Sequence, residues 1–122
     1  MAKTDKRPKS VRLPRQLIAA VRAAEDKQAM DLAILDLRKA AGFTDFFVIC
    51  AGANPRQVHA IAEHVQEAVA GLGVKPTHVE GADRSEWILL DYFDFIVHVF
   101  APDTRAFYAL ERLWGNAERV EL

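Results

Sequence analysis

The sequence has little cysteine and no long apolar run, and both shortages restrict the class of protein. Cys50 is the single cysteine among 122 residues, which excludes an internal disulfide and favours a reducing compartment. No apolar segment approaches the roughly 20 residues that a membrane-spanning helix needs. The basic N-terminus is not followed by an apolar segment, so a secretory signal is not expected. We therefore expect a cytoplasmic protein without a membrane partner.

Net charge is also small, at −1, and 51% of the residues are hydrophobic, which is typical of an ordinary globular domain. The charge is unevenly distributed, because the first fifteen residues hold six basic side chains and one acidic one. Such a composition predicts a flexible basic tail over residues 1–13 and one domain over residues 14–122. A solvated tail and a tail that contacts nucleic-acid phosphates are both compatible with this pattern.

Hydrophobic periodicity predicts a helix from near Pro14 to about Gln28, and a second helix whose apolar stripe runs from Val58 to Leu72. Asn54 and Pro55 predict the start of the second helix, since they supply a side-chain cap and a fixed φ. A last helix is expected after Pro102. Five segments have strand-like composition: residues 32–37, 44–51, 75–80, 86–91 and 95–100. The order α-β-β-α-β-β-β-α predicts a single α/β domain with a mixed five-stranded sheet flanked by helices.

The histidines do not have the spacing of a metal site. His59 and His64 are five residues apart on a predicted helix, so they point in different directions. His78 and His98 fall on predicted strands where they could be neighbours, although His98 is better interpreted as a core histidine hydrogen-bonded within the sheet. The sequence therefore predicts no metal and no cofactor.

The segment GANPRQ follows a strand and opens a helix, a position where backbone N–H groups can hold an anion. It lacks the glycine spacing and the lysine of a phosphate-binding loop. Arg56 and Gln57 are compatible with phosphate contact and equally with a solvated first helical turn.

Two carboxylates in the segment EWILLDYFDFIVHVF are candidates for catalysis. Asp91 and Asp94 would resemble a carboxylate pair that holds a divalent metal for phosphoryl transfer. Residues three apart face opposite sides of a strand, however, and aspartate is also a common turn former. A tight turn would bring them together, so geometry leaves the enzyme interpretation open.

Aromatic residues of the same segment favour a docking role instead. Trp87 and Leu89 share one side of their predicted strand. Trp87, Tyr92 and Phe93 are candidates for partly exposed anchors beside the carboxylates. Aromatic anchors surrounded by charge are typical of protein interfaces. For Trp87, a place in the core is the competing interpretation.

Five segments occur in the order and spacing of one known family: FTDFFVICAG, RQVHAIAEHV, VEG, EWILLDYFDFIVHVF and FYALERLWG. Over residues 35–121 the chain resembles the ribosomal silencing factor (Iojap) family. Members usually have glycine in place of Phe93 and a serine pair in place of Asn54 and Pro55. We expect the first departure to change the turn geometry and the second to strengthen the helix cap.

This resemblance implies a protein without enzymatic activity. Family members bind uL14, a protein of the large ribosomal subunit, block association with the small subunit and repress translation under nutrient limitation. Free members are often homodimers. The resemblance also implies a nucleotidyltransferase-like core without its catalytic motif. A metal-dependent nucleotidyltransferase-like enzyme is the alternative function.

The resemblance also implies a partner-binding surface. The family pattern Trp-x-x-x-Asp-x-x-Asp suggests that a tryptophan packs on uL14 while two aspartates pair with its basic side chains. The last predicted helix would complete this surface. The expected partner-binding residues are Trp87, Asp91, Tyr92, Asp94, Tyr108, Glu111 and Trp114. Trp114 has a competing place in the core, and the basic tail is a candidate for contact with ribosomal RNA.

Overall fold

The computed structural model describes residues 9–10, 12–40, 42–84, 86–102 and 117–122. Within these ranges two helices pack on a mixed seven-stranded sheet with the strand order β1-β7-β2-β3-β6-β5-β4. The elements are β1 (Lys9–Ser10), α1 (Arg15–Asp26), β2 (Met30–Asp36), β3 (Phe46–Ala51), α2 (Pro55–Ala70), β4 (His78–Glu80), β5 (Trp87–Asp91), β6 (Phe95–Phe100) and β7 (Glu118–Glu121).

The α/β class and the mixed sheet are confirmed, but the predicted number of strands is too small for the described residues. The five predicted strands are β2 to β6, and the two long helices are α1 and α2. The additional strands, β1 and β7, have only two and four residues. Val120 is the one buried residue of β7, so the sequence of this strand has no hydrophobic pattern from which it could be predicted. The predicted last helix lies outside the described residues.

The domain reaches further toward the N-terminus than predicted. Strand β1 pairs in parallel with β7, so Lys9 and Ser10 belong to the sheet. Leu13, which also falls in the predicted tail, is buried among the core residues. The amino-acid composition did not predict this strand, because strand pairing uses backbone N–H and C=O groups. Every residue other than proline has both groups, whatever its side chain. The prediction for residues 1–8 lies outside the described residues.

Both faces of the sheet carry a hydrophobic cluster. One cluster, which includes Val48 and Val97, packs against α1 and α2. The second cluster, on the opposite face, is formed by Leu35, Leu37, Phe47, Ile49, Ile96 and Phe100. The central strands β3 and β6 are buried at every position, which explains why FFVICA and FIVHVF are apolar without alternation.

The start of α2 is held by reciprocal side-chain caps. The Asn54 Oδ1 accepts a hydrogen bond from the Gln57 N–H at 2.9 Å, and the Gln57 Oε1 accepts one from the Ala53 N–H at 2.6 Å. The predicted cap is therefore confirmed. The Gln57 Nε2 also donates to the carbonyl oxygens of Lys27 and Gln28, just after α1. Gln57 thus joins the two helices, a role that neither sequence interpretation anticipated.

Candidate functional site

The candidate site lies on the antiparallel hairpin of β5 and β6. Trp87 stands opposite Phe100 at one end of β5, and Asp91 stands opposite Ile96 at the other end. Four residues of extended strand separate Trp87 from Asp91 by roughly 13 Å. The structure therefore does not bring the two aspartates around Trp87. They belong to the turn, and Trp87 belongs to the opposite end of the hairpin.

Side chains of β5 alternate between the two sheet faces. Ile88 and Leu90 are buried on the helix-covered face, whereas Trp87, Leu89 and Asp91 are half-buried on the other face. This alternation confirms the predicted division of the strand. It also adds Leu89 to the candidate residues, because Leu89 is apolar and partly exposed between the two predicted ones.

The edge strand β4 adds charged side chains to the same face. Glu80 pairs with Leu89, and His78 pairs with Asp91. Paired residues of neighbouring strands point to the same side of a sheet, so both side chains flank Leu89 and Asp91. We call this group the edge surface; it consists of Trp87, Leu89, Asp91, His78 and Glu80. Sequence reasoning missed the two β4 residues because their pairing with β5 is nonlocal.

Trp87 lies partly in the core and partly at the surface. Its ring stacks on Phe100 with a centroid distance of 5.0 Å, and its Nε1–H donates to the His98 Nδ1 at 3.1 Å. The indole packs against the second hydrophobic cluster without being fully buried. Trp87 therefore combines the two roles that the sequence left open, since the core fixes an aromatic side chain that remains accessible.

His98 orients Trp87 from within the sheet. It is 4% exposed, and its ring meets Phe47 edge-on at 4.5 Å. Burial lowers the pKa of His98 to about 3, so the imidazole is neutral at pH 7. A neutral ring that accepts at Nδ1 carries its proton on Nε2. The predicted core histidine is confirmed. His78 is not its neighbour, because β5 lies between β4 and β6.

Gly81 is required where the chain passes close to β5. A Cβ built on Gly81 would lie 1.9 Å from the Trp87 carbonyl oxygen, and its φ of +81° is in the left-handed region. Only glycine combines this backbone conformation with so close an approach. The glycine of the VEG segment thus sets the position of the Trp87 backbone against the end of β4.

Hydrogen bonds to the Asp91 carboxylate and to the Thr44–Asp45 segment hold the turn between β5 and β6. The Asp91 Oδ1 accepts from the Phe93 N–H at 2.8 Å, and the Thr44 hydroxyl donates to the Phe93 carbonyl oxygen at 2.9 Å. The Asp45 N–H donates to the Asp94 carbonyl oxygen at 3.0 Å. One carboxylate of the suspected pair is therefore occupied in forming the turn, which favours the turn-forming interpretation.

Phe93 adopts a conformation that glycine favours. Its φ is +74°, which costs an L-residue roughly 1–2 kcal/mol. The expectation that Phe93 changes the turn geometry relative to other family members stays a prediction. Its side chain is 72% exposed, as the aromatic-anchor interpretation predicted.

Tyr92 is buried rather than exposed. It is 5% exposed, and its ring stacks on Phe95 at 5.0 Å. Its hydroxyl has no hydrogen-bond partner among the described residues, and burial raises the pKa of Tyr92 to about 12. The prediction of a partly exposed Tyr92 is wrong, because the residue after Asp91 turns toward the helix-covered face and joins that cluster.

The remaining predicted side chains, Tyr108, Glu111 and Trp114, lie outside the described residues and stay predictions. In the described part of the chain, no three histidine, cysteine, aspartate or glutamate side chains are grouped so that they could hold a metal ion. None of the helices in those ranges is both long and apolar enough to cross a membrane.

Comparison with known proteins defines the class to which this α/β domain belongs. A family model described as ribosomal silencing factor during starvation matches residues 10–122. The ribosomal silencing factor of Halalkalibacterium halodurans is 41% identical over 103 residues, which cover 84% of this chain and 88% of that protein. The one from Bacillus subtilis is 39% identical over 103 residues, with coverages of 84% and 87%.

Solved structures agree with this assignment. The crystal structure of a Chromobacterium violaceum protein matches with a TM-score of 0.81 at 33% identity, covering 86% of this chain and 88% of that one. The chain belongs to the ribosomal silencing factor family. The resemblance inferred from the sequence is thereby confirmed, and it places the chain among regulatory proteins of the ribosome.

Proposed function

We propose that this protein represses translation under nutrient limitation by binding uL14 on the large ribosomal subunit and blocking association with the small subunit. The proposal rests on the edge surface of this chain, which belongs to the ribosomal silencing factor family. There, half-buried Leu89 lies between Trp87 and Asp91 along β5 and pairs with Glu80 of β4, on the sheet face opposite α1 and α2. Apolar side chains with a charged rim are typical of protein interfaces.

The charge of the edge surface suits a ribosomal protein. Proteins that bind RNA carry lysine and arginine for their phosphate contacts. Carboxylates at Glu80 and Asp91 would meet such side chains with complementary charge, and Asp94 is exposed at the adjoining turn. Direct contact of this surface with RNA phosphates would be repulsive. The surface therefore favours the protein component of the subunit.

The half-buried aromatic and aliphatic side chains supply the affinity in this proposal. Burying a large apolar side chain contributes about 1.5–3 kcal/mol, which corresponds to roughly a tenfold to hundredfold change in the dissociation constant. The bond to His98 fixes the Trp87 ring before binding, so little side-chain entropy is lost on docking.

The proposed function also includes a contact with ribosomal RNA outside the edge surface. The sheet order puts β1 five strand spacings from β5, a distance of roughly 24 Å. We propose that the basic N-terminal residues contact ribosomal RNA. We also propose a cytoplasmic location and a homodimer in the absence of ribosomes, as the family resemblance implies.

A charge substitution on the edge surface tests the proposal. Leu89→Lys removes apolar area and adds a cation opposite a basic partner, so we expect at least tenfold weaker binding to purified large subunits. Val79→Lys is the matched control, because Val79 is 39% exposed on β4 and pairs with Leu90 on the other face. Equal binding by both variants would refute the edge surface as the docking site.

Trp87→Glu would be a poorer test of the docking site than Leu89→Lys. The substitution would remove the stacking on Phe100 and the hydrogen bond to the buried His98. Lost binding would then report damage to the fold as well as to the contact. Leu89 avoids this difficulty because its side chain is only partly buried at the margin of the second cluster.

A further inference from the structure

Phe93 is the most exposed large hydrophobic side chain of the described residues, at 72%. Its φ of +74° is also unfavourable for a residue with a side chain. Folding alone explains neither feature, because glycine would fit the turn and the ring buries little surface. Strained backbone and exposed apolar side chains are both frequent at binding sites, and Phe93 combines the two features.

The turn holds the Phe93 backbone in a fixed position. The Phe93 N–H donates to the Asp91 carboxylate, and its carbonyl oxygen accepts from the Thr44 hydroxyl. The next residue, Asp94, accepts at its carbonyl oxygen from the Asp45 N–H. Both backbone groups of Phe93 and the following peptide are thus tied to the domain. With its backbone already fixed, Phe93 has only side-chain freedom to lose when its ring is buried in a complex.

The surroundings of Phe93 are acidic and contain a second exposed aromatic residue. Phe43, next to Thr44 on the neighbouring loop, is 55% exposed. Asp45 and Asp94 are exposed beside these two residues, and Asp91 is half-buried. Carboxylates around an apolar centre complement a protein surface that carries lysine or arginine. They repel the phosphates of RNA.

We infer that Phe93 is a hydrophobic anchor that enters an apolar recess of a basic protein surface and extends the docking area beyond the edge surface. This inference rests on the proposed function, whose partner has that chemistry. Asp91 connects the two areas, since it belongs to the edge surface and also accepts the Phe93 N–H. The hairpin then contacts its partner along one side and at its tip.

The test compares binding to purified large subunits with thermal stability for several Phe93 variants. Phe93→Gly and Phe93→Ala both remove the ring, and we expect each to bind at least tenfold more weakly. Phe93→Tyr keeps the ring and should bind within about twofold of the original chain. Leu122→Ala is the matched control, because Leu122 is 49% exposed beyond β7 and should not affect binding.

Stability separates a lost contact from a damaged fold. Phe93→Gly relieves the left-handed strain, so its melting temperature should equal or exceed that of the original chain while its binding falls. Unchanged binding by Phe93→Gly, with the original chain still binding, would overturn the anchor and leave the proposed function intact. Failure of the original chain to bind large subunits would overturn both.

Two further outcomes would assign Phe93 to a different partner and also overturn the inference. One is a dimer that dissociates on Phe93→Gly while binding to large subunits is unchanged, which would make a second copy of the chain the occupant. The other is weaker binding of protein-free ribosomal RNA by Phe93→Gly. Sedimentation of the free protein and titration of the RNA measure these effects.

Discussion

The two ends of the β5–β6 hairpin each present an aromatic side chain, but they hold it in opposite ways. At one end the core positions Trp87, through stacking on Phe100 and a hydrogen bond to the buried His98. At the other end only backbone and turn contacts hold Phe93, whose ring is 72% exposed on a left-handed residue. Substitutions at the first end should therefore affect stability, and those at the second end should affect binding alone.

The largest effect is expected where Gly81 approaches the Trp87 carbonyl. Gly81→Ala would force β4 and β5 apart and impose an unfavourable φ, so we expect about 3 kcal/mol or more of destabilisation. Gly42→Ala is the matched control, because a Cβ at Gly42 meets nothing within 4 Å. Urea unfolding of both variants measures the difference. Equal stabilities would show that the Trp87 end is less tightly constrained than described.

Acid should weaken the Trp87 end through His98. The pKa of this histidine is lowered to about 3 in the folded chain, below its ordinary value near 6.5. The unfolded chain binds the proton first, so stability is complete above pH 6.5 and declines as the pH falls toward 3. One such group contributes a slope of up to about 1.4 kcal/mol per pH unit.

The His98→Leu variant identifies the source of that slope. It leaves the Trp87 Nε1–H without its acceptor, which should cost about 1–3 kcal/mol at pH 7. The variant should also lose the His98 contribution to the slope between pH 6.5 and 4, measured by denaturant unfolding at several pH values. An unchanged slope would place the titrating group elsewhere in the molecule.

The smallest effect is expected at Tyr92, between the two ends. Tyr92→Phe removes a buried hydroxyl that has no partner among the described residues, so stability should stay the same or rise by up to about 1 kcal/mol. Binding to large subunits should not change, because the side chain is 5% exposed. A clear loss of binding would return Tyr92 to the docking surface, where the sequence first assigned it.

The hairpin shows how much of the fold and the site was predictable from sequence. Strand-like composition located β2 to β6, and alternation in WILLD separated buried Ile88 and Leu90 from half-buried Trp87 and Leu89. Compositional patterns could not reveal β1 and β7, which depend on nonlocal backbone pairing in short segments. The central strands β3 and β6 are recognisable as continuous apolar runs and β5 by its alternation, whereas β1 and β7 at the chain ends have neither pattern.

The site was harder to predict than the fold. In sequence, Trp87, Asp91 and Asp94 are close enough to suggest one cluster, but extended backbone puts a strand length between the tryptophan and the turn. The contribution of Glu80 depends on the register of β4 against β5, which no local pattern sets. The positive φ of Phe93 was not predicted, because no pattern in the sequence pointed to it.

The most direct test of the central claim is sedimentation with purified ribosomal subunits. The account predicts that the protein migrates with the large subunit and not with the small one, and that prior addition reduces the amount of joined ribosomes. Migration with neither subunit, or full subunit joining in the presence of saturating protein, would contradict the proposed function.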